Sequence, residues 1–357
     1  MCRVAGKALY ERGLEANQQV TIMSMHDRKD DADDNRYFPS EIFEGFAARK
    51  LAFVKKAVQK GSGCNVVILS HINLLLVGWL IKKVSPETKI YLFAHGIEIW
   101  ETLKTTRKNM LPCCDVFLCV SRYTKKVIIA SNRIDASRCV VLNNCIDPFL
   151  PLPQQQHTES DILNQYGVGR EHIVLFTLTR LSSKDRYKGY DKVFEALALI
   201  KDIYPNIRYL LGGGYDAVEK DYVQKEILRL GLSNIVIVTG YLPEEHLASY
   251  FAMADIYIMP SKKEGFGLVF IEAMFYGLPV IAGNADGSVD ALLNGKLGLL
   301  VNPESVEEIK TAIKKMIQHP EAFVPERKVL MDNFSYPAYK RNLDEVLGGQ
   351  YKMIDNK

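Results

Sequence analysis

Ile256-Tyr257-Ile258-Met259-Pro260-Ser261-Lys262-Lys263-Glu264-Gly265-Phe266-Gly267-Leu268-Val269-Phe270-Ile271-Glu272-Ala273 is a short apolar run, a glycine-bearing loop and the opening of a helix, in that order. An apolar run without polar alternation suits a strand buried on both faces, as in a parallel sheet covered by helices. Gly265 and Gly267 let backbone approach a ligand closely, and the helix starting near Leu268 offers unpaired N–H groups and a positive dipole end to a phosphate. Glu264 sits in the loop, and Glu272, eight positions on, falls just over two turns along. One carboxylate can therefore face a sugar and the other a ribose. Taken alone, the segment reads equally well as a capped helix with solvent-facing acids.

The same strand-then-helix alternation extends outward on both sides. Strands are expected at Val20–Met25, Val66–Ser70, Ile90–Ala94, Val116–Val120 and Val140–Leu142, and again at Ile173–Leu178, Ile207–Leu211, Ile235–Thr239, Ile256–Met259 and Pro279–Ala282. Helical periodicity fills the intervals, with Val193, Leu197 and Ile200 marking one buried stripe. Between the two sets, Pro148-Phe149-Leu150-Pro151-Leu152-Pro153 and a Gln/His/Thr/Ser run read as an extended linker. The division expected is 1–147, a linker 148–170, 171–333, and a closing segment 334–357 whose helix, from Phe334 to Gln350, returns to the first domain. Both domains are α/β and doubly wound, and such sheets bind ligands beyond the carboxyl ends of their strands, so two facing sheets make a cleft fed by loops from each.

Composition sets the outer limits. With 357 residues, 48% hydrophobic and 24% charged, the chain can bury two ordinary cores. A net charge of +3 is too slight for a nucleic-acid partner, while a local basic patch touching anionic lipid is left open. Seven cysteines (Cys2, Cys64, Cys113, Cys114, Cys119, Cys139, Cys145) show no CxxC pair at zinc spacing and read as small buried hydrophobes in a reducing cytosol. The most apolar stretch, Ile72 to Ile81, is half the roughly 20 residues that a bilayer requires, and Met1 to Asn17 is a polar helical pattern with no apolar signal core.

A second loop carries charge. After Ile173–Leu178 comes Thr179-Arg180-Leu181-Ser182-Ser183-Lys184-Asp185-Arg186-Tyr187-Lys188-Gly189-Tyr190-Asp191. Fixed cations stabilise the negative charge that develops on a departing diphosphate, and Arg180 with Lys188 makes a chemically sensible clamp. By itself such a run is more often a solvated face, and its coexistence with the Glu264 segment decides against that. His95, opening His95-Gly96-Ile97-Glu98 after Ile90–Ala94, and Ser121, opening Ser121-Arg122-Tyr123-Thr124 after Val116–Val120, are the candidates in the first domain.

These motifs together resemble glycosyltransferase family 4. The string EGFGLVFIEAMFYGLPVIAGNADGSVDAL from Glu264, GLLVNPESVEEI from Gly298, and the Arg180/Lys188 loop carry the likeness, which covers about nine tenths of the chain. The resemblance implies a GT-B fold of two Rossmann-like domains, retention of anomeric configuration, and no metal or other cofactor. It implies that Arg180 and Lys188 hold the diphosphate and Glu272 the ribose hydroxyls. Glu264 would contact the donor sugar, and backbone at Gly265, Phe266, Gly267 and Leu268 would meet sugar and phosphate. Gly240 and Tyr241 would border the base, His95 would face the reacting sugar and Ser121 the acceptor. The forms RYKGYD and HGIEIW are similar to mannosyltransferase-like members, which puts GDP-mannose ahead of UDP-sugars. A hexose would pass to a glycan or lipid-linked acceptor in surface polysaccharide or lipopolysaccharide synthesis, in the cytoplasm or peripherally at the inner membrane face. The family's mechanism implies same-face attack by the acceptor hydroxyl as diphosphate leaves, with no protein nucleophile.

Other signals are set aside. Asp31-Ala32-Asp33 has a DxD form but no strand end to hold it, and Gly212-Gly213-Gly214 lacks GxGxxG spacing, so it reads as a tight turn. Because a helix, Cys2 to Asn17, precedes the first expected strand, a further strand and its glycine loop are expected upstream of Met1. Two alternatives stay open: an epimerase of similar fold, which would convert a nucleotide sugar with no acceptor present, and a nucleotide-sugar-binding remnant without turnover.

Overall fold

The computed structural model describes residues 1–32, 36–152 and 165–348. Asp33 of the DxD form, residues 153–164 of the expected linker and the last residues of the expected closing segment lie outside them. The chain forms two compact units, Met1–Pro148 with the segment from Tyr336 onward, and Phe149–Ser335.

In the first unit α1 (Cys2–Glu15) is followed by β1 (Ile22–Ser24), β2 (Phe43–Gly45) and α2 (Lys50–Gly61). Then come β3 (Val66–Leu69), α3 (Leu75–Val84), β4 (Lys89–Ala94), α4 (Ile97–Trp100), α5 (Thr105–Lys108), β5 (Val116–Cys119), α6 (Arg122–Asn132) and β6 (Cys139–Val141). β3-β4-β5-β6 form a parallel sheet, β1 pairs with β2 in a separate parallel ladder, and among the described residues no ladder joins β1 to β3. The pleat divides β4 between two cores: Ile90, Leu92 and Ala94 face one cluster with Phe53, Leu75 and Ile81, and Tyr91 and Phe93 face the other. That second cluster contains Val4, Ala5 and Ala8 of α1 together with Tyr339, Leu343 and Val346 of the C-terminal helix Tyr336–Leu347. Arg12 and Asp344 add a 3.0 Å ion pair. Leu343 and Val346, at about 1.5–3 kcal/mol each, outweigh a partly exposed pair worth about 1 kcal/mol or less, so apolar burial seats this helix. Phe334 does not begin it but ends the preceding helix, Arg327–Phe334.

The second unit begins with β7 (Ile173–Leu178), α7 (Tyr190–Ile200), β8 (Ile207–Gly212), α8 (Ala217–Arg229), β9 (Val236–Gly240), α9 (Glu244–Ala252) and β10 (Ile256–Met259). It continues with α10 (Leu268–Phe275), β11 (Val280–Gly283), α11 (Ser288–Ala291), β12 (Leu299–Val301), α12 (Val306–Gln318) and α13 (Arg327–Phe334). All six strands are parallel in the order β12-β11-β10-β7-β8-β9. One face packs Leu175, Leu211 and Ile258 against Val193, Phe194 and Leu197 of α7 and Ile309, Ile313 and Met316 of α12. On the other face Phe176 meets the rings of Phe251 and Tyr257 edge-on, at 5.4 and 6.0 Å. Chain order reverses between β7 and β10, and that switch point is where an open α/β sheet takes its ligand.

Two three-residue strands, β2 and β12, were not expected from the sequence. The cysteine reading needs one correction: Cys2 and Cys64 are exposed, whereas the other five are buried, and all seven are free thiols. No described helix is long and apolar enough to cross a membrane.

The Gly212-Gly213-Gly214 turn shows why glycine is required there. Gly213 has φ of +133°, and a Cβ on it would collide with the carbonyl oxygen of Thr179. Gly213→Ala should therefore cost at least about 1–3 kcal/mol, read as a fall in the urea midpoint at unchanged m value.

Candidate functional site

The two loops that the sequence marks as chemistry-bearing meet at this switch point. The backbone N–H of Lys262 donates to the Tyr187 carbonyl at 2.9 Å, tying the loop after β10 to the loop after β7. Gly189 has φ of +82° and lies under Pro260, whose carbonyl oxygen occupies the place of any Cβ. In that close approach Lys188 forms an ion pair with Glu264, both side chains being largely buried at 16% and 13% exposure. Arg180 reaches the same loop differently: its side chain is 71% exposed, and its Nε–H donates at 2.6 Å to Asp185, itself buried. That hydrogen bond raises the Arg180 pKa, so the guanidinium is permanently charged and open to solvent.

Glycines and caps set the rest of the loop after β10. Gly267, at φ +86°, precedes the first helical residue Leu268, and Phe266 is buried against Phe334 with rings 5.6 Å apart and near-perpendicular. The backbone around Gly265 to Leu268 therefore stands at the opening of α10, while Glu272 is half-buried on that helix. At the end of the edge strand β9, Gly240 has φ of +74° and its carbonyl accepts from the Gly213 N–H at 2.8 Å. Tyr241 follows with 77% exposure.

Three carboxylates that the sequence reading did not single out hold these loops. Glu219 is fully buried and receives the Arg186 Nε–H, 2.9 Å from one oxygen, and the Tyr190 hydroxyl. Arg186 is thus directed to Glu219, with its guanidinium 3.8 Å over the Tyr222 ring. Asp216 caps α8 by accepting from the Glu219 N–H at 2.8 Å, and its other oxygen accepts from the Ser183 N–H at 3.0 Å. The Asp216-x-x-Glu219 spacing was the available signal, since it has the form of a capping box. Asp286, 1% exposed, accepts from the Ser261 hydroxyl, the Glu264 N–H and the Ser288 N–H. Burial pushes its pKa up from 3.8 to about 6 against the pull of those donors. A carboxyl raised in this way favours the folded state while protonated, and that advantage is lost as pH rises from 3.8 through about 6.

The first-domain candidates lie in the other unit. His95 stacks on Phe93, with centroids 5.6 Å apart and planes 4° from parallel, and its Nε2 is 2.8 Å from the Ser70 carbonyl. A carbonyl only accepts, so Nε2 carries the proton; burial lowers the ring's pKa, which leaves Nδ1 as an acceptor near neutral pH. Glu98 accepts from the backbone N–H groups of His95 and Gly96 at 2.7 and 3.1 Å, fixing the turn after β4. Ser121 is fully buried as the N-cap of α6, accepting from the Thr124 N–H at 3.0 Å and donating to the Thr124 hydroxyl at 3.1 Å. Its hydroxyl serves that cap, a role not foreseen from the sequence.

Comparison with known proteins fits this arrangement. Residues 160–335 match the family model described as glycosyl transferases group 1, and residues 8–149 match glycosyltransferase family 4. The chain belongs to glycosyltransferase family 4. A GDP-mannose-dependent alpha-(1-6)-phosphatidylinositol monomannoside mannosyltransferase of Mycolicibacterium smegmatis is 29% identical over 293 residues, 78% of this chain and 74% of that protein. A sulfoquinovosyl transferase of Arabidopsis thaliana is 35% identical over 80% of this chain but only 51% of its own length. The fold is GT-B: the structure of Anabaena HepE with UDP and glucose superposes with a TM-score of 0.76 at 21% identity, covering 96% of this chain and 95% of that one.

Within this family 4 chain, Arg186 belongs to the frame. Removing it leaves Glu219 buried without a counter-charge, so Arg186→Ala should cost roughly 3 kcal/mol, the low end for such pairs because the Arg186 side chain is 42% exposed. Chemical denaturation of the variant checks this, and a loss below about 1 kcal/mol would show the pair to be an ordinary surface contact.

Proposed function

We propose that this glycosyltransferase is a retaining, metal-independent hexosyltransferase. Its donor would be a nucleoside diphosphate sugar, GDP-mannose ahead of UDP-sugars, and its acceptor a glycan or lipid-linked glycan in surface polysaccharide assembly at the cytoplasmic face of a membrane. The observation that carries the reading is the Lys188–Glu264 pair at the β7/β10 switch point, with Arg180 open to solvent on the same loop. A diphosphate arriving there would take over the charge of Lys188 and leave Glu264 to accept from a sugar hydroxyl. As the bond from the anomeric carbon to the diphosphate oxygen breaks, Arg180 and Lys188 would hold the growing negative charge in fixed positions, which lowers the barrier more than mobile solvent could. The acceptor oxygen would bond to the anomeric carbon on the same face, and its proton would pass to the departing phosphate. Glu272 is assigned to the ribose hydroxyls, backbone at Gly265 to Leu268 to sugar and phosphate, and Gly240 with Tyr241 to the base. His95 is assigned to the reacting sugar on the family resemblance.

The choice of GDP-mannose rests on the Mycolicibacterium relative, whose name specifies that donor. The Anabaena protein, with UDP and glucose, keeps UDP-sugars in second place. A lipid-linked or anionic acceptor is supported by charge: between Arg49 and Arg138 the chain has sixteen Lys and Arg against five Asp and Glu. Leu51, Leu76 and Ile97 add exposed apolar side chains to that stretch. Basic residues interspersed with exposed apolar ones suit a phosphate-bearing amphiphile.

The test is a panel of nucleotide sugars scored by protection against thermal unfolding. At 100 times its dissociation constant the true donor should add about 2.7 kcal/mol, and Arg180→Ala or Lys188→Ala should reduce that protection and slow turnover together. Absence of protection by every GDP- and UDP-sugar would defeat the donor assignment, and unchanged turnover in both variants would remove the clamp.

A further inference from the structure

Glu264 is gripped from behind by the loop after β11. Its backbone N–H donates to Asp286 Oδ2 at 2.6 Å, and its carbonyl accepts from the Gly287 N–H at 2.8 Å. The Ser261 hydroxyl donates to the same Oδ2 at 2.8 Å, while the Ser288 N–H donates to Oδ1 at 2.9 Å. Asp286 is thus the point at which three donors from two loops converge, in a place 1% exposed. The loops touch through backbone: a Cβ on Gly287 would collide with the Gly265 carbonyl, and one on Gly283 with the Ser261 carbonyl. Both backbone groups of Glu264 are therefore fixed by consecutive residues of one neighbouring loop, and its side chain leaves that fixed point toward Lys188.

We propose that Asp286 is a positioning residue for sugar transfer, holding the backbone of Glu264 so that its carboxylate stands where Lys188, and then the donor, can meet it. This rests on the reading of Glu264 and Lys188 as donor-contacting groups. Three features single out an aspartate. Its two oxygens accept three hydrogen bonds, whereas asparagine has one acceptor oxygen and an NH2 group that would face an N–H or a hydroxyl. A glutamate is one methylene too long for a pocket closed by Gly287 against Gly265. An apolar residue would fill the space but leave the Glu264 N–H buried and unpaired, which the carboxylate prevents despite the cost of burying it.

Asp286→Asn and Ser261→Ala in the full chain test the proposal by two independent readouts. In hydrogen exchange, Asp286→Asn should speed the amides of 261–267 by about tenfold or more, with the helix that follows unaffected, and Ser261→Ala should do so to a smaller extent. In turnover of GDP-mannose and of UDP-glucose with water as the acceptor of the sugar, followed by release of the nucleoside diphosphate, kcat should fall by about tenfold or more while KM moves by less than about threefold, as for a group misplaced only in the transition state. Unchanged exchange across 261–267 overturns the proposal, and so does faster exchange with kcat intact. If the unsubstituted protein is neither protected by nor able to hydrolyse either sugar nucleotide, the donor assignment proposed above fails and exchange alone decides whether Asp286 holds Glu264. Should Asp286→Asn not fold, Ser261→Ala decides, since it removes a single hydrogen bond from the same carboxylate.

Discussion

The second unit depends on one constraint of the doubly wound sheet: at β7 and β10 the helices that follow depart in opposite senses, so no helix covers the ground between the two loops. Something else must join them. Here it is the Lys262 N–H on the Tyr187 carbonyl, Gly189 fitted under Pro260, and the Lys188–Glu264 ion pair. The backbone contact fixes the spacing of the loops, and the ion pair places opposite charges across it. Such a pair has limited value for stability, since desolvation offsets most of the Coulomb attraction. Its significance lies in what it keeps ready: a cation and a carboxylate, both largely withdrawn from water, at the mouth of the sheet.

Behind that pair stand carboxylates that are expensive to bury and are each met by converging donors. Glu219 collects Arg186 and Tyr190, Asp185 accepts from Arg180, and Asp286 accepts from Ser261, Glu264 and Ser288. Removing a single partner from such a network leaves a desolvated charge. Each of these carboxylates ties together the loops around it, and loops fixed in this way meet the condition for dipoles and charges to act without reorganising.

The fold was legible where burial imposes a long pattern. Ile173–Leu178 and Ile256–Met259 were placed to the residue, because strands covered on both faces are continuously apolar, and the stripe Val193, Leu197, Ile200 faces the core as its period requires. Phe43–Gly45 and Leu299–Val301 escaped because their pairing is decided by neighbours distant in sequence. In the site, Arg180, Lys188 and Glu264 were recognisable as chemistry, and the structure joins Lys188 to Glu264 over 76 residues of sequence. The supporting residues were not. Glu219 looks like the exposed half of a capping box, yet the structure buries it against Arg186 and Tyr190. Asp286 sits in an Asp-Gly-Ser run that reads as a turn, and its partners lie 22 and 25 positions away. Ser121 has a further duty that the sequence reading did not assign: its hydroxyl accepts from an N–H group of the helix it begins.

Glycine explains why so few side chains suffice. Gly189 against Pro260, Gly213 against Thr179, Gly283 against Ser261 and Gly287 against Gly265 are all contacts in which one loop's carbonyl occupies the place of the other's Cβ. A methyl group at any of them would push the paired loops away from each other by more than a hydrogen bond can stretch. The resulting geometry is set by main chain, which varies less with solvent and temperature than long side chains do, and only then are Lys188 and Glu264 laid upon it. Glycines in the loops after successive strands therefore carry site information even where they lack a phosphate-binding spacing: they mark where backbones must touch, and so which charged residues, far apart in sequence, will be brought within reach of one another.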